Sequence, residues 1–231
     1  MSASMRACKA SIATCLCGWL SANAYAAGGP YVVDDATIAN VGECKVESWV
    51  SVASNGDFIG VTQPACVVRI GVPVEFTTTI QPARTDGEWA TFAGARGKFI
   101  LLREGPNNPA IAMAIGTLFD VTNGENLTFV NVPLTIKVRD DFRLNVNAGW
   151  LRDTIDETNH LTWGGSVEWD FRKSWTLITE IFGLTGHQSE PRMQGGLRYS
   201  PTKSIDLDVI YGHNLIGERA NWITAGVTAR F

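Results

Sequence analysis

Along most of this chain apolar and polar residues alternate one for one, a rhythm that belongs to extended backbone and not to helix. Phe142, Leu144, Val146, Ala148 and Trp150 fall on one face of such a segment, with Arg143, Asn145, Asn147 and Gly149 on the other. Leu161, Trp163, Val167, Trp169 and Phe171 repeat the pattern against polar partners, and Ile205, Leu207, Val209 and Tyr211 repeat it against Ser204, Asp206 and Asp208. Each run closes on turn residues. Strands are expected at 44–54, 57–69, 72–82, 90–104, 110–121, 127–138, 142–152, 160–171, 175–184, 192–200, 203–213 and 221–231. The count is about twelve, with ten as the fallback because the second and third runs are weakly patterned. Pro73 and Pro133 each remove a ladder donor from a strand.

Two architectures use many short alternating strands, a soluble sandwich and a membrane barrel. A sandwich shows a polar outer face to water and would have to bury Trp150, Trp163, Trp169, Trp175, Tyr211 and Trp222 in one core. A barrel turns its apolar face to lipid and lets polar side chains line the lumen. Connections decide between them. Those after Val138, Phe171 and Tyr199 are tight, those after Asp153, Leu184 and His213 are longer, and the two kinds alternate. With tight turns on the periplasmic side, Phe171, Trp175, Tyr199 and Phe231 gather at one interface and Trp150, Trp163 and Tyr211 at the other. The expected fold is therefore an all-β, antiparallel transmembrane barrel of outer-membrane type. On that reading an arginine at Val146 faces lipid, and is expected to cost far more than one at Asn147.

The N-terminal stretch sets the compartment. Arg6 and Lys9 precede a mostly apolar run from Ala10 to Leu20, and Ala24-Tyr25-Ala26 has the small-x-small form of a signal-peptidase site. The expected organisation is a signal peptide at 1–26, an N-terminal periplasmic or plug segment at 27–43, and a barrel at 44–231. Asp34 and Asp35 precede the barrel, either as part of a lumen plug or as a solvated turn. A net charge of −4 leaves no basic stripe, so nucleic acid is not an expected partner.

Removal of the leader takes Cys8, Cys15 and Cys17 and leaves Cys44 and Cys66. In an oxidising compartment such a pair forms a disulfide. Ser54-Asn55-Gly56 is a hairpin signal, and a three-residue loop with Gly56 in the left-handed region pairs Ala53 with Asp57. The same register sets Cys44 opposite Cys66. On the inward face, Arg143, Asn145, Asn147, Glu168, Asp170, Glu180, Arg198, Asp206, Asp208 and Arg230 form a polar lining, with Arg198 opposite Asp206 if the following turn has five residues. Such a lining is either a solute path or an ion-paired filling. No cofactor or metal is expected from His160, His187 and His213, which are scattered. His187-Gln188-Ser189-Glu190 holds the residue types of a hydrolytic site but sits in a loop, so the chain does not read as an enzyme.

The last strand, from Trp222 to Phe231, ends on an aromatic and resembles the signal by which the outer-membrane assembly machinery recognises its clients. Gly29-Pro30-Tyr31-Val32-Val33-Asp34-Asp35-Ala36, Gly42-Glu43-Cys44-Lys45-Val46-Glu47-Ser48-Trp49-Val50, Pro64-Ala65-Cys66, and Asn131-Val132-Pro133-Leu134-Thr135 are similar, in the same order, to the outer-membrane family labelled for the MetA-pathway of phenol degradation. So is Leu144-Asn145-Val146-Asn147-Ala148-Gly149-Trp150. The resemblance implies a channel or transporter for small, apolar or aromatic molecules. A barrel without transport and a lipid-modifying enzyme are the other readings, and the implied partners are the lipid bilayer, the assembly machinery and a small solute.

Overall fold

The computed structural model describes residues 30–105, 108–121, 124, 126–154, 157–185, 191–217 and 220–231. The leader expected at 1–26 and the loop residues His187 to Glu190 lie outside the described residues. Twelve strands follow one another along the chain. They are β1 (Cys44–Ala53), β2 (Phe58–Ile70), β3 (Val72–Thr85), β4 (Glu88–Leu102), β5 (Ala110–Asp120) and β6 (Asn126–Arg139). The second half comprises β7 (Phe142–Asp153), β8 (Asn159–Arg172), β9 (Trp175–Leu184), β10 (Arg192–Thr202), β11 (Ile205–Asn214) and β12 (Asn221–Arg230). Each strand pairs antiparallel with its sequence neighbours, and β1 pairs with β12, which closes the barrel. Closure removes the free edges that lipid could not satisfy.

The alternation read from the sequence is the alternation of the wall. Val146, Leu161, Ile181, Leu197, Val209 and Ile223 stand outside, while Asn145, Asn147, Ser166, Glu180, Gln194 and Asp208 are buried inside. Of the aromatic residues set at the two interfaces, Phe171, Tyr199, Phe231, Trp163 and Tyr211 are all exposed on the wall. Trp175 and Tyr199 meet with ring centroids 4.7 Å apart.

Both chain ends of the barrel, Cys44 and Phe231, lie at one rim, called here the terminus end, and the other rim is the loop end. The turns Asp140-Asp141, Lys173-Ser174 and Lys203-Ser204 are at the terminus end, opposite the longer connections 154–158, 185–191 and 215–220. The N-terminal half breaks this rule. Its first two loop-end turns are short, the second with Asp86 and Gly87 both at positive φ, whereas the terminus end carries the seven-residue connection 103–109.

The first hairpin has the expected register. The amide of Ala53 donates to the Asp57 carbonyl at 2.9 Å, Gly56 has φ 91°, and Cys44 stands opposite Cys66, joined to it by a disulfide. The bridge sits on the outside of the wall at the terminus end. One pairing differs from expectation: Arg198 faces Asp208, not Asp206. The chain reverses in a tight turn at Lys203-Ser204, with Thr202 paired to Ile205, and Ser200-Pro201 is accommodated as a bulge between Tyr199 and Thr202. The two-residue turn alone would set Arg198 opposite Val209; Pro201 has no N–H to give the ladder, the extra residue is absorbed there, and the partner becomes Asp208.

Candidate functional site

The lumen is crossed by the chain's own residues 30–36. Across this stretch the backbone finds no strand to pair with, and its polar groups are met by side chains reaching inward from the wall. The adjacent amides of Val32 and Val33 donate to the two oxygens of Glu180 at 2.7 and 3.0 Å. The Asp34 amide donates to Asn147 Oδ1 at 2.8 Å, and Asn147 Nδ2 returns a bond to the Asp34 carbonyl at 2.6 Å. The amide of Ala36 donates to the Thr135 hydroxyl, and Gln194 donates to the Pro30 carbonyl. A buried backbone group left unpaired costs about 1–3 kcal/mol, so these four residues decide where the segment can lie.

Its side chains are packed as well as its backbone. Tyr31 joins Ile178 and Ile210, Val33 joins Ala53, Phe182 and Trp222, and Ala36 joins Ala110 and Ala112. Gly164 is what lets Val33 in: a Cβ there would lie 2.8 Å from Val33 Cγ2. The segment thus runs from the β10–β12 wall across to the β4–β6 wall. It then leaves toward β1 through a turn in which Asn40 donates to Glu43 from both its amide and its side chain. Those bonds, the side-chain one foremost, hold the Glu43 carboxyl below its ordinary range.

Asp34 and Asp35 part ways here. Asp34, 1% exposed, accepts from Lys98 at 2.8 Å and from Arg96 at 3.3 Å. Asp35 lies at 3.3 Å from Lys98 at the edge of the same cluster. Arg96 and Lys45 also reach Glu75, and Lys45 reaches Glu47. On the other side, Arg198 binds Asp208 at 2.9 Å and lies over the Tyr31 ring, centroid distance 5.3 Å.

The residues read from the sequence as a lining occupy three places. Asn147 and Glu180 hold the crossing segment directly, and Asn145 holds it through Thr135, accepting from that hydroxyl and donating to Ser166 and Glu168. Arg198 and Asp208 flank Tyr31. Arg143 with Glu168 and Asp170, and Arg230 with Asp206, lie in half-exposed pairs toward the terminus end. Sequence reasoning did not single out Thr135, Gln194, Glu75, Arg96 or Lys98. The available signal was the same period of two, since Glu75, Thr77, Thr79 and Gln81 share a face of β3 and Gly94, Arg96 and Lys98 share one of β4.

The interior is not polar throughout. Trp49, Ile59, Val61, Phe92, Phe129 and Leu151 form an inward apolar cluster toward the loop end. Beside it a small cavity is floored by Pro30 and Val32. Trp49, Ile59, Phe182 and Trp222 supply its apolar wall, and Ser51, Arg192, Gln194, Asn214 and Thr224 its polar groups. Gln194 is fixed from two sides, accepting from Trp222 Nε1 at 2.9 Å and donating to Glu180 at 2.7 Å. Among the described residues there is no cluster of His, Cys, Asp and Glu suited to a metal ion.

Over residues 15–231 the sequence matches the family described as "Uncharacterised conserved protein UCP029691". The chain belongs to that family. The description of the UCP029691 family makes no mention of phenol degradation, and no curated protein matches the chain. Among solved structures it is similar to the KdgM porin in complex with disordered oligogalacturonate, at 12% identity and TM-score 0.65, over 81% of this chain and 99% of that one. It is similar too to the COG4313 outer membrane channel from Pseudomonas putida F1, at 9% identity and TM-score 0.63, over 85% and 98% of the two chains. The NanC porin gives 12% identity and TM-score 0.62, over 80% and 98%. At these identities the likeness is one of fold: this member of the UCP029691 family is a closed antiparallel barrel of the outer-membrane porin type.

Proposed function

We propose that the protein is an outer-membrane channel for small molecules, narrowed by its own N-terminal segment. The observation that carries this reading is the cavity beneath the loop-end mouth, whose floor is the crossing segment and not the barrel wall. A wall-built floor would be permanent. A floor held by side-chain bonds to backbone amides can be released without breaking any strand pairing. The aromatic wall of the cavity suits a small apolar or aromatic solute, in agreement with the resemblance to the phenol-degradation family. The exposed apolar wall supports the bilayer as surroundings, and Phe231, 76% exposed at the end of the closing strand, supports recognition by the assembly machinery. The structural likeness to porins and an outer membrane channel supports reading the protein as a non-enzyme.

The second reading, a barrel without transport, is favoured by the same crossing segment together with the ion pairs around it, which would fill the lumen. Planar-bilayer conductance and solute-dependent swelling of proteoliposomes separate the two. The channel reading expects small steps from the mature protein and larger ones from Glu180→Ala, in which the segment loses its main anchor. Silence from both proteins, with no swelling in any solute, would establish the filled barrel.

A further inference from the structure

We infer that Arg96 and Lys98 form a carboxylate-binding site of the channel, that Asp34 occupies it as a tethered stand-in, and that the solute is a small organic carboxylate with an apolar body.

Among the described residues, the ion pairs of this part of the wall join three cations, Lys45, Arg96 and Lys98, to two wall carboxylates, Glu47 and Glu75, and to the crossing segment. Asp34 and Asp35 bring that to four carboxylates. Lys98 is only 3% exposed, and Asp34 and Asp35 are its ion-pair partners. A buried ammonium stripped of its counter-charge is costly, so a segment that leaves must be replaced by another anion at the same place. Arg96 and Lys98 project from the same face of β4 two residues apart, and they grip one oxygen each of the Asp34 carboxylate. Any carboxylate small enough to enter can be gripped in the same way.

The neighbouring residues supply the second half of the solute's description. Val33 and Val32, directly before Asp34, are packed among Phe182, Trp222 and the cluster containing Trp49. An extended chain advances about 3.3–3.6 Å per residue, so the segment presents an apolar body roughly one residue to two residues away from its carboxylate. A displacing molecule that reproduces both parts would regain both sets of contacts. A neutral aromatic would regain only one, and an organic cation would meet Arg96 and Lys98 as like charges.

The solute class rests on the channel reading, whereas binding at Arg96 and Lys98 requires no flux. Equilibrium binding to the full mature barrel in detergent, at fixed ionic strength, can therefore fail independently of conductance. Benzoate, acetate, benzyl alcohol and benzylammonium serve as probes, followed by calorimetry. Asp34→Ala removes the stand-in, and the near-isosteric Asp34→Asn carries the same test should the alanine variant not assemble. Benzoate is expected to bind either variant about tenfold or more tightly than it binds the unaltered protein, and about tenfold more tightly than acetate does. Benzyl alcohol and benzylammonium are expected to show no such gain, and adding Arg96→Met and Lys98→Met is expected to abolish it. Equal benzoate affinity with and without Asp34, a gain that survives loss of both cations, a gain shared by benzyl alcohol, or acetate binding as tightly as benzoate would each overturn the assignment.

Discussion

Glu180 shows how much one side chain can decide in a lumen. Its carboxylate takes two consecutive amides and the Gln194 side chain, three donors in all. Replacing it with glutamine keeps the shape but turns the donor NH2 of a carboxamide toward one of those backbone amides. Glu180→Gln is expected to weaken the seating of residues 32 and 33 by about 1.5–3 kcal/mol, the value of hydrogen bonds to a charged group. Amide hydrogen exchange at Val32 and Val33 should accelerate by roughly ten- to a hundredfold, and unchanged exchange would contradict the anchoring role. Asn147 calls for a similar revision. From the sequence it was a tolerant lumen position, but it bonds both the amide and the carbonyl of Asp34 as well as Asn131. Asn147→Arg therefore breaks the crossing even though it spares the lipid face, and it is expected to release the segment to added protease. Val146→Arg, on the exposed side of the same strand, should leave the segment seated and cost the fold about 2–4 kcal/mol, read from denaturant unfolding in micelles.

At the scale of strands and turns, alternation made the wall legible and turn chemistry made the first hairpin legible. Asn55-Gly56 fixed a three-residue loop, the loop fixed the register, and the register brought Cys44 to Cys66. Where register depended on a bulge the sequence was ambiguous. Ser200-Pro201 and Lys203-Ser204 are both turn-like, and only the ladder shows that the chain reverses at the second. β2 was weak for another reason. Ile59, Val61, Ala65 and Val67 face inward while Val68 and Ile70 face outward, so apolar residues on both faces blur the period. The crossing segment was least legible, because irregular backbone held by distant side chains has no period at all. The disulfide belongs to this scale. Closing a hairpin whose ends are 22 residues apart should stabilise by about 3 kcal/mol in the chain-entropy model, and Cys44→Ala with Cys66→Ala should lose that amount on chemical unfolding.

For the molecule as a whole, the decisive contact is the seam. β1 and β12 pair from Lys45 opposite Arg230 to Ala53 opposite Trp222, and the Cys44 and Phe231 backbones exchange hydrogen bonds of 2.9 Å at the rim. A barrel closed in this way should stay folded in detergent until heated and migrate faster on gels before heating than after. Phe231→Ala is expected to lower the fraction that reaches this form in cells more than Phe171→Ala does, since both remove an interfacial aromatic but only one ends the closing strand. Equal losses would leave Phe231 as an ordinary rim residue.

The crossing segment is joined to β1 by residues 37–43, and the far end of that link is fixed by the first hairpin and its disulfide. Seven residues reach at most about 25 Å when fully extended. A segment that has let go therefore never diffuses away, and its return is an intramolecular event with an effective concentration on the order of millimolar. Any molecule that takes its place must compete at that level, at every protein concentration. On the channel reading, a solute that binds as tightly as the segment does displaces it only at about millimolar levels, and the segment closes the lumen again unaided when the supply falls.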